Sequence, residues 1–332
     1  MRRTRLMGVM LAAWAAIALA TTAAAQAPKQ PAPPPAKTTT DNKIDNSKVD
    51  LAYGAFQRGY YLTALKLATA RANAGDPVAM TLIGVIYAQG LGVGQDDKKA
   101  AEWYKLAAAR GDRNAMFALA MFAFQGRAGP RDPAAGAKYL SEAAKHGLPT
   151  AQYDLGLLYL QGKQFPQDDK HAAQLFRAAA DAGNPQAQYA LATLYEQGHG
   201  VKKDMVEAMR LMGKASVAGD LDAMLDYAIA EFNGTGIKKN ETAAAELMLK
   251  AAHRGNPIAQ DRLSRILMAG RGMPPDPVQA IKWHLVALAA GVSDPDLDVF
   301  MSKQTKAVQD AAIKGAKKWL STSNLKLPKP PY

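Results

Sequence analysis

Residues 187–201 read AQYALATLYEQGHGV, and variants of this stretch return along the chain every 36 residues. Seven glycines keep the same interval: Gly75, Gly111, Gly147, Gly183, Gly219, Gly255 and Gly291. Self-similarity at such a period is typical of stacked helical or helix–strand units, each of which buries its apolar face against the next. The sequence therefore predicts a repeat fold, and repeat folds of this kind mostly hold other molecules.

Two further columns show where the helices of each repeat end and begin. One is the glycine column Gly90, Gly126, Gly162, Gly198, Gly234 and Gly270. The other is the column of capping residues Asp96, Asp132, Asp168, Asp204, Asn240 and Asp276. Glycine ends a helix in the left-handed conformation without a Cβ penalty, and a short oxygen-bearing side chain satisfies the free N–H groups of the next helix. Each repeat is thus predicted to have a helix A, roughly Asp76 to Gln89 in the first unit, and a helix B, Asp96 to Arg110.

These columns resemble those of Sel1-like repeats, which are relatives of tetratricopeptide repeats with a longer loop between the helices. The resemblance rests on residues 187–201 and on residues 100–108 (AAEWYKLAA), and it covers residues 76–291. It implies an all-α fold, a right-handed α/α superhelical solenoid of six 36-residue helix pairs, in an exported bacterial member of the family. Some units depart from the pattern: Ala123 and Glu231 replace the usual helix A tyrosine, and Gln164-Phe165 replaces the Gly-Val of the loop.

The residues before the repeats divide into a secretory signal and a linker. Three arginines and an uncharged stretch precede the small residues that end at Ala25, which predicts a cleaved signal peptide over residues 1–25. The alternative is an uncleaved anchor, because residues 6–25 are long enough to span a bilayer. Residues 26–49 are rich in proline and predict a disordered or extended linker. We therefore expect a periplasmic or secreted protein without a stable membrane span after signal cleavage.

Atypical helices are predicted at both ends of the repeat array. Residues 50–75 form a helix pair with a tighter loop, as a capping repeat does. Residues 292–332 predict C-terminal capping helices and a basic tail, including an amphipathic helix over Lys306–Leu320. One face of that helix carries Val308, Ala311, Ala312, Ala316 and Trp319. A cap over the last repeat is the favoured reading, and an anionic membrane or an acidic partner is the alternative.

Charge and composition exclude several classes of function. The net charge is +12 and falls to +9 without the three signal-peptide arginines, which favours anionic envelope partners such as an acidic protein surface or an anionic polysaccharide over nucleic acid. The chain has no cysteine, which excludes disulfides and cysteine-ligated metals. The five histidines lie in different repeats without metal-ligand spacing. We therefore expect no catalytic, cofactor-binding or metal site.

The side of helix A opposite Ala79, Ile83 and Tyr87 is unusually apolar. At about 100° per residue, three positions of each helix A lie on that side, which we call the groove face. In chain order its residues are Thr81, Val85 and Ala88; Phe117, Met121 and Phe124; Tyr153, Leu157 and Leu160; Tyr189, Thr193 and Glu196; Leu225, Ile229 and Phe232; and Asp261, Arg265 and Met268. The resemblance implies that this face lines the concave channel of the solenoid. Contiguous apolar surface there indicates a binding groove, and packing of the channel by large side chains is the alternative.

The function predicted from the sequence is that of a periplasmic adaptor or regulator that binds an envelope protein in the groove. The candidate partner-binding residues are Phe117, Met121, Phe124, Tyr153, Leu157, Leu160, Tyr189, Glu196 and Phe232. Relatives of similar layout include envelope regulators, among them inhibitors of sensor kinases, and assembly scaffolds. The alternatives are a scaffold that binds polysaccharide or peptidoglycan and a β-lactamase-like hydrolase. Hydrolysis is disfavoured, because the relatives linked to β-lactams look rich in cysteine.

Signal cleavage is directly testable at the N-terminus. We expect the mature protein to begin at Gln26, because signal peptidase cleaves after a small-residue site such as Ala23–Ala25. Intact-mass measurement and N-terminal sequencing of the exported protein check this. A mature chain that begins at Met1 would show that the segment is retained as an anchor.

Overall fold

The computed structural model describes residues 50–323 and 325–326, and this part of the chain has sixteen α-helices and no strand. The predicted signal peptide (1–25), the linker (26–49) and the last residues of the basic tail lie outside the described residues. In chain order the helices are α1 (Leu51–Gln57), α2 (Tyr61–Asn73), α3 (Pro77–Gln89), α4 (Asp97–Ala108), α5 (Arg113–Gln125), α6 (Pro133–Lys145), α7 (Pro149–Gln161), α8 (Asp169–Asp181), α9 (Pro185–Gln197), α10 (Met205–Val217), α11 (Leu221–Asn233), α12 (Glu241–His253), α13 (Pro257–Ala269), α14 (Pro277–Ala289), α15 (Pro295–Ser302) and α16 (Lys306–Leu320).

The chain forms two compact units, and the division falls after Leu175 in the middle of α8. The first unit contains α1 to α7 and the start of α8. The second contains the remainder of α8 and all later helices. In both units, helix A and helix B of a repeat pack as an antiparallel pair, as α3 does with α4 and α12 with α11.

The helix boundaries confirm the capping columns. All six glycines that follow helix A have a positive φ, between 66° and 77°. Each of the six capping residues before helix B accepts a hydrogen bond from the backbone N–H three residues later, at 2.9 to 3.1 Å. An N-cap of this kind stabilises a helix by about 1 kcal/mol. The same two devices therefore place every boundary between helix A and helix B.

Two columns of the repeat differ in size, because one position of helix A carries a small residue and one position of helix B carries a large, buried residue. The small residues are Gly84, Ala120, Gly156, Ala192, Ala228 and Ser264. The large residues are Tyr104, Leu140, Phe176, Met212, Met248 and His284, and each is at most 3% exposed. In the first repeat, a Cβ atom on Gly84 would lie 2.4 Å from the Tyr104 ring. In the first unit glycine at one position accompanies Tyr104 at the other, and Ala120 accompanies Leu140, so a larger helix B residue goes with a smaller helix A residue, as dense packing requires.

The predicted terminal helices are present. The pair α1 and α2 packs before the first full repeat, and α16 packs on α14. The Trp319 ring lies 4.9 Å from the Trp283 ring, centroid to centroid, which supports the capping interpretation. The predicted apolar face of α16 is wrong at Ala311, which is exposed. The buried residues of α16 are Ala312, Ala316 and Leu320, because a four-residue step keeps them on one side of the helix.

Along the residues that the structure describes, no helix combines the length and the hydropathy needed to cross a membrane.

The fit between Gly84 and Tyr104 gives a stability prediction. We expect Gly84→Ala to destabilise the protein, because overpacking a core costs about 1–3 kcal/mol and outweighs the gain of about 0.5–1 kcal/mol from replacing a helical glycine. Combining it with Tyr104→Leu reproduces the Ala120 and Leu140 combination of the next repeat and should recover part of the loss. Urea unfolding of both single variants and the double variant measures the coupling.

The control is Gly54→Ala in α1, where the nearest atom to an added Cβ lies 3.8 Å away. This variant should be neutral or slightly stabilising. Strictly additive effects of the Gly84 and Tyr104 changes would contradict the proposed fit.

Candidate functional site

The structure divides the nine candidate groove residues into two sets. The partly exposed residues are Phe117, Met121, Leu160, Tyr189, Glu196 and Phe232. The buried residues are Phe124, Tyr153 and Leu157, at 4%, 8% and 4% exposure. The expectation that these three line an open surface is therefore wrong. The helical wheel treats helix A as isolated, whereas neighbouring helices enclose one edge of the groove face.

Phe124 shows the physical reason most clearly. Its ring atoms lie 2.9 Å from the position that a Cβ on Gly136 would occupy. Gly136 belongs to α6, and the equivalent position carries alanine in every other repeat: Ala100, Ala172, Ala208, Ala244 and Ala280. The Phe124 side chain thus fills the space between α5 and α6. At Phe124, therefore, the alternative that large side chains pack the channel is correct.

The first position of the groove-face triplets takes part in contacts between neighbouring A helices. The Thr81 hydroxyl donates to the Asp112 carboxylate at 3.0 Å, and the Tyr189 hydroxyl donates to Asp226 at 2.9 Å. Asp226 is 8% exposed, so this bond satisfies a buried carboxylate in the second unit. Tyr189 therefore has a structural role.

Asp154, in the first unit, is the residue equivalent to Asp226 two repeats earlier. Tyr189, the donor to Asp226, lies 37 residues before it in the sequence. The residue at the same interval before Asp154 is Phe117, which has no hydroxyl to donate. Burial raises the pKa of the Asp154 carboxyl to about 7. Helix α7 of the first unit thus contains a carboxyl group whose pKa is raised to near neutral pH.

An open pocket on the groove face lies in the second unit, between α11 and α13. We call it the groove pocket, and its volume is about 310 Å³. Its lining residues are Ile229, Phe232, Asn233, Met248, Arg262, Arg265, Ile266, Met268, Ala269 and Arg271. Four of these belong to the predicted triplets: Ile229, Phe232, Arg265 and Met268. The sequence therefore located this part of the face, although only Phe232 was chosen as a candidate.

Two of the three arginines of the groove pocket are held by carboxylates. Arg271 pairs with Glu241 at 2.5 Å, and its guanidinium lies 4.3 Å from the centre of the Phe232 ring. The hydrogen bonds that Arg271 and Lys239 donate to Glu241 lower the pKa of its carboxyl to about 2. Arg265 pairs with Asp294 at 2.5 Å. Both guanidinium groups are therefore fixed in position beside the apolar part of the pocket.

Arg262 differs from these two arginines. It is exposed, and within the described residues no carboxylate lies within 4 Å of it. The groove pocket thus combines an apolar surface formed by Ile229, Phe232 and Met268 with an uncompensated positive charge at its edge. Such a surface suits an apolar side chain that is flanked by carboxylates.

Sequence reasoning missed Arg262 and Arg271. Arg262 lies beside the triplet position Asp261, and Arg271 follows the glycine that ends helix A. The sequence did offer a signal, because three arginines fall within ten residues of this repeat. Two of its three groove-face residues, Asp261 and Arg265, are charged. In the part of the chain that the structure describes, no three His, Asp or Glu side chains are grouped to hold a metal ion.

The fold defines a helical repeat protein, and the groove pocket is a cavity on its surface. The model for the Sel1 repeat matches six times, at residues 77–112, 113–148, 149–184, 185–220, 221–256 and 257–292. These matches cover more than half of the chain, so it belongs to the Sel1 repeat family.

Solved structures confirm the fold class. A Sel1 repeat protein from Oxalobacter formigenes is 28% identical with a TM-score of 0.63, and the match covers 71% of this chain and 94% of that one. A protective antigen of uropathogenic Escherichia coli, which displays an SLR fold, is 24% identical with a TM-score of 0.67. That match covers 78% of this chain and 56% of the antigen, so this chain spans little more than half of the antigen's length. No curated protein matches the chain.

The pKa of Asp154 leads to a pH-dependent prediction. An Asp whose pKa is raised in the folded state costs stability as pH rises from about 4 to about 7, because the unfolded chain ionises first. Phe117→Tyr supplies the hydroxyl that Tyr189 gives to Asp226, and a hydrogen bond to a charged group contributes about 1.5–3 kcal/mol. We therefore expect Phe117→Tyr to raise the melting temperature more at pH 8 than at pH 4.

The same substitution in an Asp154→Asn background is the control, and there the difference between the two pH values should disappear. Equal changes in melting temperature at pH 4 and pH 8 in the parent chain would contradict the assignment.

Proposed function

We propose that this protein is an exported adaptor or regulator that binds a protein partner through the groove pocket in the periplasm. Sel1 repeat proteins generally mediate protein–protein interactions, and the family is typically non-enzymatic. The proposed compartment is supported by the signal-peptide pattern of residues 1–25.

The groove pocket is the observation that carries the proposal. Phe232 is partly exposed, and the Arg271 guanidinium, itself tied to Glu241, lies over its ring. Because the guanidinium is already held in place, binding of a partner costs less side-chain conformational entropy. A rigid aromatic and arginine side chains are the residue types that dominate binding energy at interfaces. The pocket is therefore preorganised for an apolar anchor.

The charge of the pocket defines the partner segment further. Arg262 is exposed and makes no ion pair with the carboxylates that compensate Arg265 and Arg271. Complementary charge mainly sets specificity and the rate of association. We therefore propose a partner segment with one apolar side chain that enters the pocket and at least one acidic residue beside it.

Site-specific photocrosslinking tests this proposal in the native compartment. A photoreactive phenylalanine analogue at Phe232 should form an adduct with one envelope protein, whereas the same group at Val206, a residue of α10 that is 71% exposed, should not. In the chain that carries the photoreactive group at Phe232, Arg262→Glu should weaken capture of the partner at least about tenfold, because the glutamate repels an acidic residue of the partner.

The matched control is Arg110→Glu, which reverses another exposed arginine, after α4. Neither surface substitution should change the free energy of unfolding by more than about 0.5 kcal/mol. Equal crosslinking from Phe232 and Val206, or equal losses for the two arginine variants, would contradict the groove pocket as the binding site.

A further inference from the structure

Three departures from the repeat pattern meet at one place in the second unit. Arg177 and Tyr195 belong to one repeat, and 36 residues later their equivalents are Gly213 and Glu231. Tyr227 is the third departure, since its column otherwise contains only aliphatic residues: Ile83, Leu119, Leu155, Leu191 and Leu263. The change from the usual tyrosine to Glu231 is therefore accompanied by changes in the residues around it.

The preceding repeat shows what occupies the equivalent space there. The Arg177 guanidinium donates a hydrogen bond to the Tyr195 hydroxyl, and it lies 5.4 Å from the centre of the Tyr195 ring. A cationic group of the chain itself therefore fills the space between the B helix and the following A helix. At the next repeat Gly213 has no side chain to do so.

The space beside Gly213 is a pocket of about 960 Å³, which we call the acidic pocket. Glu231, Tyr227 and Gln188 all line it. The Tyr227 ring lies 3.1 Å from the position of a Cβ on Gly213, so the tyrosine extends over the glycine. The aromatic ring and the carboxylate thus face the volume that a guanidinium occupies one repeat earlier.

Two acceptor atoms in the acidic pocket have no hydrogen-bond partner within the described residues. They are Glu231 Oε2 and Gln188 Oε1, and both atoms are buried. Gln188 is 8% exposed, and its amide nitrogen donates to the Ala180 carbonyl at 3.2 Å, which fixes the direction of the amide oxygen. A buried acceptor without a donor is costly, and a buried carboxylate more so. Both atoms therefore lack a donor among the described residues, and a ligand that donates hydrogen bonds would satisfy them.

The nearby charges do not compensate Glu231. Burial raises the pKa of the Glu231 carboxyl, and burial together with the Glu231 charge raises that of Tyr227. Arg210 also lines the pocket, but it is held by Glu207 through two hydrogen bonds of 2.7 Å. Lys214, Lys250 and a second carboxylate, Glu246, also line the pocket, and all three side chains are exposed.

We propose that the acidic pocket binds an organic cation, the guanidinium or ammonium group of a basic amino acid. Its N–H groups would donate to Glu231 and Gln188, and its charge would lie against the Tyr227 ring. Charge-assisted hydrogen bonds and cation–π contacts are both strong where water is excluded. Lys214 and Lys250 suit the carboxylate or carbonyl groups of the same amino acid at the edge of the pocket. This site is separate from the groove pocket and does not depend on the proposed function.

Calorimetric titration of the mature protein with blocked amino acids tests the proposal. The probes are N-acetyl-arginine methylamide and N-acetyl-lysine methylamide, and the uncharged control is N-acetyl-norleucine methylamide. At least one cationic probe should bind saturably and the norleucine probe should not. Glu231→Gln should weaken binding at least about tenfold, as expected for loss of a charge-assisted hydrogen bond. Comparison with free arginine and lysine distinguishes a free amino acid from a side chain of a peptide as the source.

Two variants separate recognition from folding. Glu102→Gln neutralises an exposed carboxylate of α4, which does not line the acidic pocket, and should keep the affinity of the parent. The double variant Gly213→Arg/Tyr227→Leu restores two features of the preceding repeat, and it should abolish probe binding while the protein stays folded by circular dichroism. The proposal is overturned if neither cationic probe binds, if the norleucine probe binds equally well, or if Glu231→Gln keeps the parent affinity.

Discussion

The packing of a large helix B side chain against a small helix A residue is the constraint on which the rest of the structure depends. In the first repeat the Tyr104 ring occupies the space that a Cβ on Gly84 would need. Close contact of this kind fixes the distance between the two helices, and the glycine and aspartate caps then fix where each helix ends. A repeat cannot bury its apolar face alone, so the same contact has to recur along the array. This is why residue size is complementary between Gly84 and Tyr104, whereas the partly exposed positions of the groove face are less constrained.

That freedom explains where binding surfaces arise. Glu231 and Phe232 are consecutive residues of α11 and point about 100° apart, so one lines the acidic pocket and the other the groove pocket. Neither belongs to the paired columns of the core. Substitution at these positions changes what the surface presents while the spacing of the helices is kept. The second unit has therefore acquired two chemically different pockets on a single helix.

The sequence predicted the elements of the fold well because each boundary has a local chemical cause, such as the Asp96 cap or the left-handed Gly90. The groove face was predicted only in part, since burial depends on neighbouring helices: Phe124 covers Gly136, and no helical wheel contains that contact. Arg271 was missed because it lies in a loop outside any helical pattern. Glu231 was recognised as a departure, but its significance required the structure, which brings Gly213 and Tyr227 to the same pocket. The signal peptide and the periplasmic location remain predictions.

The central claim is that the paired columns hold the fold, while departures from the repeat pattern carry binding. A saturation mutagenesis scan of residues 50–323 with two readouts, cellular abundance and capture of the partner crosslinked at Phe232, tests this directly. The account predicts that substitutions in the paired columns, such as those at Gly84 and Tyr104, lower abundance and capture together. Substitutions at Phe232 and Arg262 should lower capture at constant abundance. Capture-specific positions that cluster away from the groove pocket, or paired columns that tolerate substitution, would contradict it.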